Sequence, residues 1–190
     1  MLHTFVAYVE DLPGVLTRVA SLFRRLNINI ISLTVGRSER VGLSRMTIVA
    51  ESSTEAGHRI RASLYKLESV VHVDDIAQAP AVTRELALIK VAATPKNRSQ
   101  IFELVEIFRA RIVDLTSESL MIEMTGVESK IEGLIEVLRE QDGRILEICR
   151  SGKMTMRRGQ HTSRVLRAMG AAGEPETDTA EALEDTAVEP

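Results

Sequence analysis

The chain has 190 residues, 44% of them hydrophobic and 27% charged, which is enough apolar material for one mid-sized domain or two small ones. No apolar run reaches membrane-spanning length and Met1-Leu2-His3-Thr4 is not a basic segment leading into a long apolar one, so the expectation is a cytoplasmic protein with no membrane partner. The net charge is −3, but seven acidic and no basic residues between 171 and 190 leave +4 on the remainder; with only two Tyr and four Phe, this is no nucleic-acid footprint.

Residues 2 to 9 read as a strand, with Phe5, Ala7 and Val9 interleaved with Val6 and Tyr8. The strand delivers the chain to Asp11-Leu12-Pro13-Gly14-Val15-Leu16. Pro13 has no N–H and its φ suits a first helical turn, while Gly14 carries no side chain to obstruct the amides behind it. The helix that follows, Gly14 to Leu26, has an apolar stripe at Val15, Val19, Leu22 and Leu26. Its open N-terminus would offer the amides of Gly14, Val15 and Leu16 to a small anion such as the carboxylate of a free amino acid. Asp11 would accept from the ammonium of that amino acid. Asn29, where the next strand begins, has an amide that both donates and accepts. The competing reading of this turn is a helix cap with no ligand.

Strand character returns over 28 to 36, a polar hairpin loop spans Gly36 to Gly42, and Leu43 to Ala50 is the returning strand. A helix over Thr54 to Leu67 and a strand from Val70 to Ile76 complete a split βαβ order. After a short connection at Ala79 to Thr83 the same order restarts. The second set is strand Glu85–Ala92, helix Arg98–Phe108 with Ile101, Phe102, Val105 and Phe108 inward, strand Ile112–Thr116, strand Leu120–Thr125, helix Lys130–Arg139 and strand Ile145–Cys149. This echo, at a period of roughly 75 to 80 residues, points to two tandem domains that share the order of elements and not the identity of residues. The expected layout is an α+β chain of two ferredoxin-like βαββαβ layers, over 1–78 and 84–159, joined by a linker at 79–83. The second half has Ala93-Thr94-Pro95-Lys96-Asn97-Arg98 where the first has its Pro-Gly turn, so a ligand site is expected only in the first.

Beyond Gly152 the periodicity stops. Lys153, Arg157, Arg158, Arg164 and Arg167 form a basic stretch, 163–169 would form a short helix only against a partner, and 160–190 is an extension read as a disordered acidic tail from about 171. The first two strands are apolar at both parities, so the sheet face away from the helices needs a cover. A second copy is the favoured cover, ahead of the second domain or a different protein. The single Cys149 excludes an internal disulfide and reads as a small core residue. His3, His58, His72 and His161 have no metal-site spacing, and His72 beside Asp74 and Asp75 reads as a strand end with solvated charges. Glu103 with Glu106 and Glu136 with Glu140 read as solvated helix faces. No phosphate loop, dinucleotide fingerprint or nucleophile elbow is present.

Taken together, Glu10-Asp-Leu-Pro-Gly-Val-Leu16, Asn29-Ile30, Ser32-Leu33-Thr34-Val35, Leu43-Ser44-Arg45-Met46-Thr47-Ile48, Arg84 to Val91, Ile112-Val113-Asp114 and Cys149-Arg150-Ser151-Gly152 resemble the regulatory small subunit of acetohydroxyacid synthase, also called acetolactate synthase. The resemblance covers about residues 2 to 159. It implies an N-terminal ACT domain that dimerises edge to edge, a C-terminal ferredoxin-like domain, and a catalytic-subunit partner. It further implies a non-catalytic chain without a cofactor, thiamine diphosphate, Mg and FAD belonging to that partner. The implied role is activation of the catalytic subunit and feedback inhibition by valine or another branched-chain amino acid. By position, Asp11, Gly14, Val15 and Leu16 of one copy would face Asn29 and Ile30 of the other. Family members often carry an amide at the place of Asp11; a carboxylate there should meet the ligand's ammonium. The alternative function is a free-standing ACT-type sensor acting on another enzyme, or on transcription through the basic stretch at 153–167.

Overall fold

The structure, a computed structural model, describes residues 1–140 and 144–159; the expectations for 160–190 lie outside the described residues. The first layer is β1 (Leu2–Glu10), α1 (Val15–Arg25), β2 (Ile30–Arg37), β3 (Leu43–Glu51), α2 (Thr54–Leu64) and β4 (Val70–Asp75). The second is β5 (Ala81–Ala92), α3 (Arg98–Ile107), β6 (Arg111–Leu115), β7 (Ser119–Gly126), α4 (Glu128–Glu140), β8 (Ile145–Arg150) and β9 (Met154–Arg157). The sheets run β2-β3-β1-β4 and β6-β7-β5-β8, every pairing antiparallel. These are two tandem ferredoxin-like layers. The first core joins Phe5, Ala7 and Val9 of β1 to Val15, Val19, Leu22 and Phe23 of α1 and to Met46, Ile48 and Ala50 of β3. The second joins Ala87, Ile89 and Val91 to Ile101, Leu104 and Val105 and to Ile131, Leu134 and Leu138.

Several local expectations differ from what is observed. Residues 81–83, read as connection, are strand, because β5 runs on past its sheet to pair with β9 at Ala81–Arg84. The sequence gives no periodic cue for β9, since Met154 to Arg157 is only four residues long. α2 ends at Leu64 rather than Leu67. Phe102 lies on the outer side of α3 and Leu104 takes the inward place. Cys149 is exposed, not core: it pairs with Leu88, on the sheet face away from the helices.

The apolar outer face of β1 is covered by the chain itself. Val6 and Tyr8 are only 5% and 9% exposed, packed on Ile76 with Ala79 and Ala81 against them. The favoured second copy is therefore not what covers β1. The segment between β8 and β9 closes over β2 and β3: Lys153 N donates to Ser32 Oγ at 2.8 Å, Thr34 Oγ1 donates to the carbonyls of Ser151 and Lys153, each at 3.3 Å, and Arg45 donates to the Thr155 carbonyl. What stays open in the first sheet is the β2 edge, where Ile31 and Val35 are exposed.

The halves repeat more closely than the order of elements suggests. Ile30-Ile31-Ser32-Leu33-Thr34 returns as Ile112-Val113-Asp114-Leu115-Thr116, and each stretch carries a bulge at its second residue. Sequence inspection passes over this match because the flanking residues differ in type.

His3 illustrates how the first layer is locked. Its ring is buried, stacked on Phe5, with Nδ1 at 2.7 Å from Asp75 Oδ2. A Cβ on Gly57 of α2 would lie 2.4 Å from His3 Cε1, and the ring cannot swing away without leaving Asp75. Gly57→Ala is therefore expected to lower the unfolding midpoint, because overpacking of about 1–3 kcal/mol outweighs the gain of about 0.8–1 kcal/mol in helix propensity. Chemical denaturation read by circular dichroism measures it.

Candidate functional site

The β1–α1 corner is built as a helix start without a lid. Asp11 N donates to the Gly42 carbonyl at 2.9 Å, which fixes where β1 ends. Gly14 then sits at φ 85°, a left-handed conformation that glycine adopts without cost, and no side chain caps the helix behind it. Val15 N makes a 3.4 Å contact to the Leu12 carbonyl, long for a hydrogen bond. Among the described residues the amides of Gly14, Leu16 and Thr17 donate to no protein acceptor. Arg24 and Arg25 in the last turn complement the far end of the same helix dipole.

Asp11 stands beside this opening. Its Oδ1 accepts from Ser44 Oγ at 3.1 Å, while Oδ2 lies 4.0 Å from the exposed Arg37. The Ser44 hydroxyl sets the carboxylate's orientation; the Arg37 pair, in solvent, adds little. Ser44 is buried at a β3 position opposite Val9, and only the strand register reveals that it reaches Asp11. Asn29 is exposed and, among the described residues, its side chain bonds to nothing in its own chain. Ile30 is half-buried at the start of β2. A single chain thus gathers Asp11, Gly14, Val15 and Leu16 at one corner, and leaves Asn29 and Ile30 on the free sheet edge.

The corresponding corner of the second layer is built differently: Asn97 ties the loop before α3 to itself, although no side chain caps that helix either. Asn97 Oδ1 accepts from Thr94 N at 2.7 Å and from Thr94 Oγ1 at 3.1 Å, and its Nδ2 donates to the Ala92 carbonyl at 3.3 Å. Residue types alone do not show this tie.

Other polar groups are structural. His72, expected to be solvated, is buried, with Nδ1 at 2.8 Å from Tyr65 Oη and Nε2 at 3.1 Å from Asp74 Oδ2. Tyr8, on the adjacent strand, pairs with it and removes it from solvent. Among the described residues no three His, Cys, Asp or Glu side chains are grouped to hold a metal ion, and no helix is long and apolar enough to cross a membrane.

A βαββαβ layer with an uncapped first helix, followed by a second ferredoxin-like layer, defines an ACT-type regulatory chain. The family model for the AHAS small subunit-like ACT domain matches residues 5–72, and the model for the small subunit of acetolactate synthase matches 84–159. This chain belongs to the family of acetolactate synthase small subunits, the regulatory part of that enzyme. It is 48% identical over 159 residues to the probable acetolactate synthase small subunit of Archaeoglobus fulgidus, covering 84% of this chain and 98% of that one. It is 45% identical over 170 residues to the acetolactate synthase small subunit of Mycolicibacterium smegmatis, covering 90% and 95% of the two chains. Among solved structures, the small subunit from Thermotoga maritima superposes with a TM-score of 0.77 at 40% identity, over 84% of this chain and 98% of that one.

Proposed function

We propose that this chain activates a thiamine-diphosphate-dependent acetolactate synthase catalytic subunit in the cytoplasm and confers on it inhibition by valine or another branched-chain amino acid. The observation that carries this reading is the set of free amides at the start of α1, beside exposed Leu12 and Leu16. The effector's carboxylate takes the amides of Gly14, Val15 and Leu16. Its ammonium meets Asp11, and its branched side chain takes the apolar patch. A second copy, docked along the β2 edge, closes the pocket with its own Asn29 and Ile30.

An effector shifts the assembly only if it binds the inhibiting arrangement more tightly, typically by about 1–3 kcal/mol of coupling. A seam between copies provides such a difference, because the ligand changes how the two chains sit. The hydrogen bonds that tie Ser32 and Thr34 of β2 to residues 151–153 extend that change toward the second layer, over 84–159.

The test is to mix the chain with a candidate catalytic subunit and follow acetolactate formation with and without valine, leucine and isoleucine. A rise in rate on mixing and a fall on adding one of the amino acids are expected. An unchanged rate on mixing would overturn the activating role, and indifference to all three amino acids would overturn the sensing role.

A further inference from the structure

His3 uses only one of its two ring nitrogens to hold the first layer together. Nδ1 meets Asp75 Oδ2 at 2.7 Å, and because a carboxylate cannot donate, the proton of that bond belongs to Nδ1. Asp75 is engaged on both oxygens, since Oδ1 accepts from Ala77 N at 3.1 Å. Nε2 is buried and, among the described residues, has no hydrogen-bond partner. A buried polar atom left in that state costs about 1–3 kcal/mol unless something else meets it.

The ring forms part of the wall of a cavity of about 180 Å³ between α2, the start of β1 and the end of β4. α2 turns Thr54, Gly57, His58 and Arg61 toward it, the spacing of residues that share one helix face. Gly57 leaves the helix bare over the imidazole: a Cβ there would lie 2.8 Å from Nε2. His58 and Arg61 are exposed at the rim and, among the described residues, form no hydrogen bond or ion pair. The single acid in the wall is Asp75, already bonded to His3. α2 also begins at this end, so its dipole adds positive potential. The cavity therefore suits a small anion.

Nε2 decides which anion. A carboxylate or a sulfate brings acceptors alone, so it bonds to Nε2 only when the ring carries a second proton. Hydrogen phosphate bonds in either state: its hydroxyl donates to the lone pair of the neutral ring, and its charged oxygens accept from the imidazolium.

We infer that this cavity binds inorganic phosphate, with Arg61 and His58 on its charged oxygens and Nε2 of His3 on its hydroxyl. The forked donors of a guanidinium match two phosphate oxygens at once. The cavity lies at the start of β1 and the Gly14 corner beyond its end, about 25 Å along the strand. Phosphate and an amino acid at that corner thus occupy separate places.

Calorimetric titration of the full chain tests this at about pH 8, where hydrogen phosphate keeps a proton while sulfate and the dianion of methyl phosphate keep none. At constant ionic strength, saturable binding of phosphate is expected, with sulfate and methyl phosphate at least about tenfold weaker. Methyl phosphate separates the free ion from a phosphate group carried on a metabolite. Arg61→Gln, at an exposed position, should keep the fold and weaken phosphate binding at least about tenfold. The Cε1–H resonance of His3, assigned by its loss in His3→Gln, should shift on adding phosphate to the wild type and stay in place in Arg61→Gln. Absence of saturable binding, equal affinity for phosphate and either comparison anion, an Arg61→Gln variant that binds like the wild type, or an unmoved His3 resonance would each overturn the inference.

Discussion

Replacing Arg150 by alanine is expected to lower the stability of the second layer by about 3–5 kcal/mol, the range for stranding one member of a buried ion pair. Glu85 is a carboxylate at the helix-facing end of β5, opposite Gly126 and only 4% exposed. Arg150, from the end of β8, meets it with both forks of the guanidinium: Nε donates to Oε1 at 2.8 Å and Nη2 to Oε2 at 2.7 Å. Nη1 reaches Glu132 on α4. One side chain thus ties β5, β8 and α4 together. The Glu85 hydrogen bonds raise the guanidinium pKa above its ordinary value, against burial that acts to lower it.

The two halves of this pair are not equivalent. Arg150→Ala leaves an acid with no cation in the core, whereas Glu85→Ala leaves Arg150 partly in solvent and still beside Glu132. The first should cost more. Glu132→Ala, at an exposed partner, should cost under about 1 kcal/mol. Replacing both partners by apolar residues, Glu85→Leu with Arg150→Met, should cost less than Arg150→Ala alone, because no charge is then left buried. Urea denaturation of the four variants orders them; equal losses from Arg150→Ala and Glu132→Ala would show that Glu85 needs no partner.

The sequence discloses what depends on short periods. Helices α1 and α4 and the buried sides of β1, β3, β5 and β7 follow from apolar spacing, and the open turn at Gly14 follows from residue type. Features that depend on register are hidden. Glu85 reads as an ordinary polar strand start until β8 is placed beside it. His72 reads as solvated until Tyr8 lies across from it and Tyr65 returns to it. Cys149 reads as core because its neighbours are apolar, yet an outer strand of a one-sided sheet has a wet face. The bulges hide the repeat of the two free edges in the same way, because one added residue reverses the parity that sequence inspection counts.

At the proposed effector site, Asn29→Ala and Gly14→Ala are expected to abolish amino-acid inhibition, with at least about tenfold weaker binding, while activation of the catalytic subunit persists. They reach that end by different routes. Asn29 is exposed and bonded to nothing in its own chain, so Asn29→Ala should leave the chain's stability within about 0.5 kcal/mol. A Cβ on Gly14 meets no atom within 4 Å, so Gly14→Ala creates no clash. It does oppose a φ of 85°, at about 1–2 kcal/mol; relief of that strain turns the first peptide of α1 and removes its amides from a common focus. Calorimetric titration with valine, beside acetolactate formation in the assembled enzyme, reads both effects. If Asn29→Ala binds the amino acid as tightly as the wild type, the second copy does not close the pocket. If Gly14→Ala loses activation together with inhibition, the turn serves the architecture of the subunit and not the recognition of an effector.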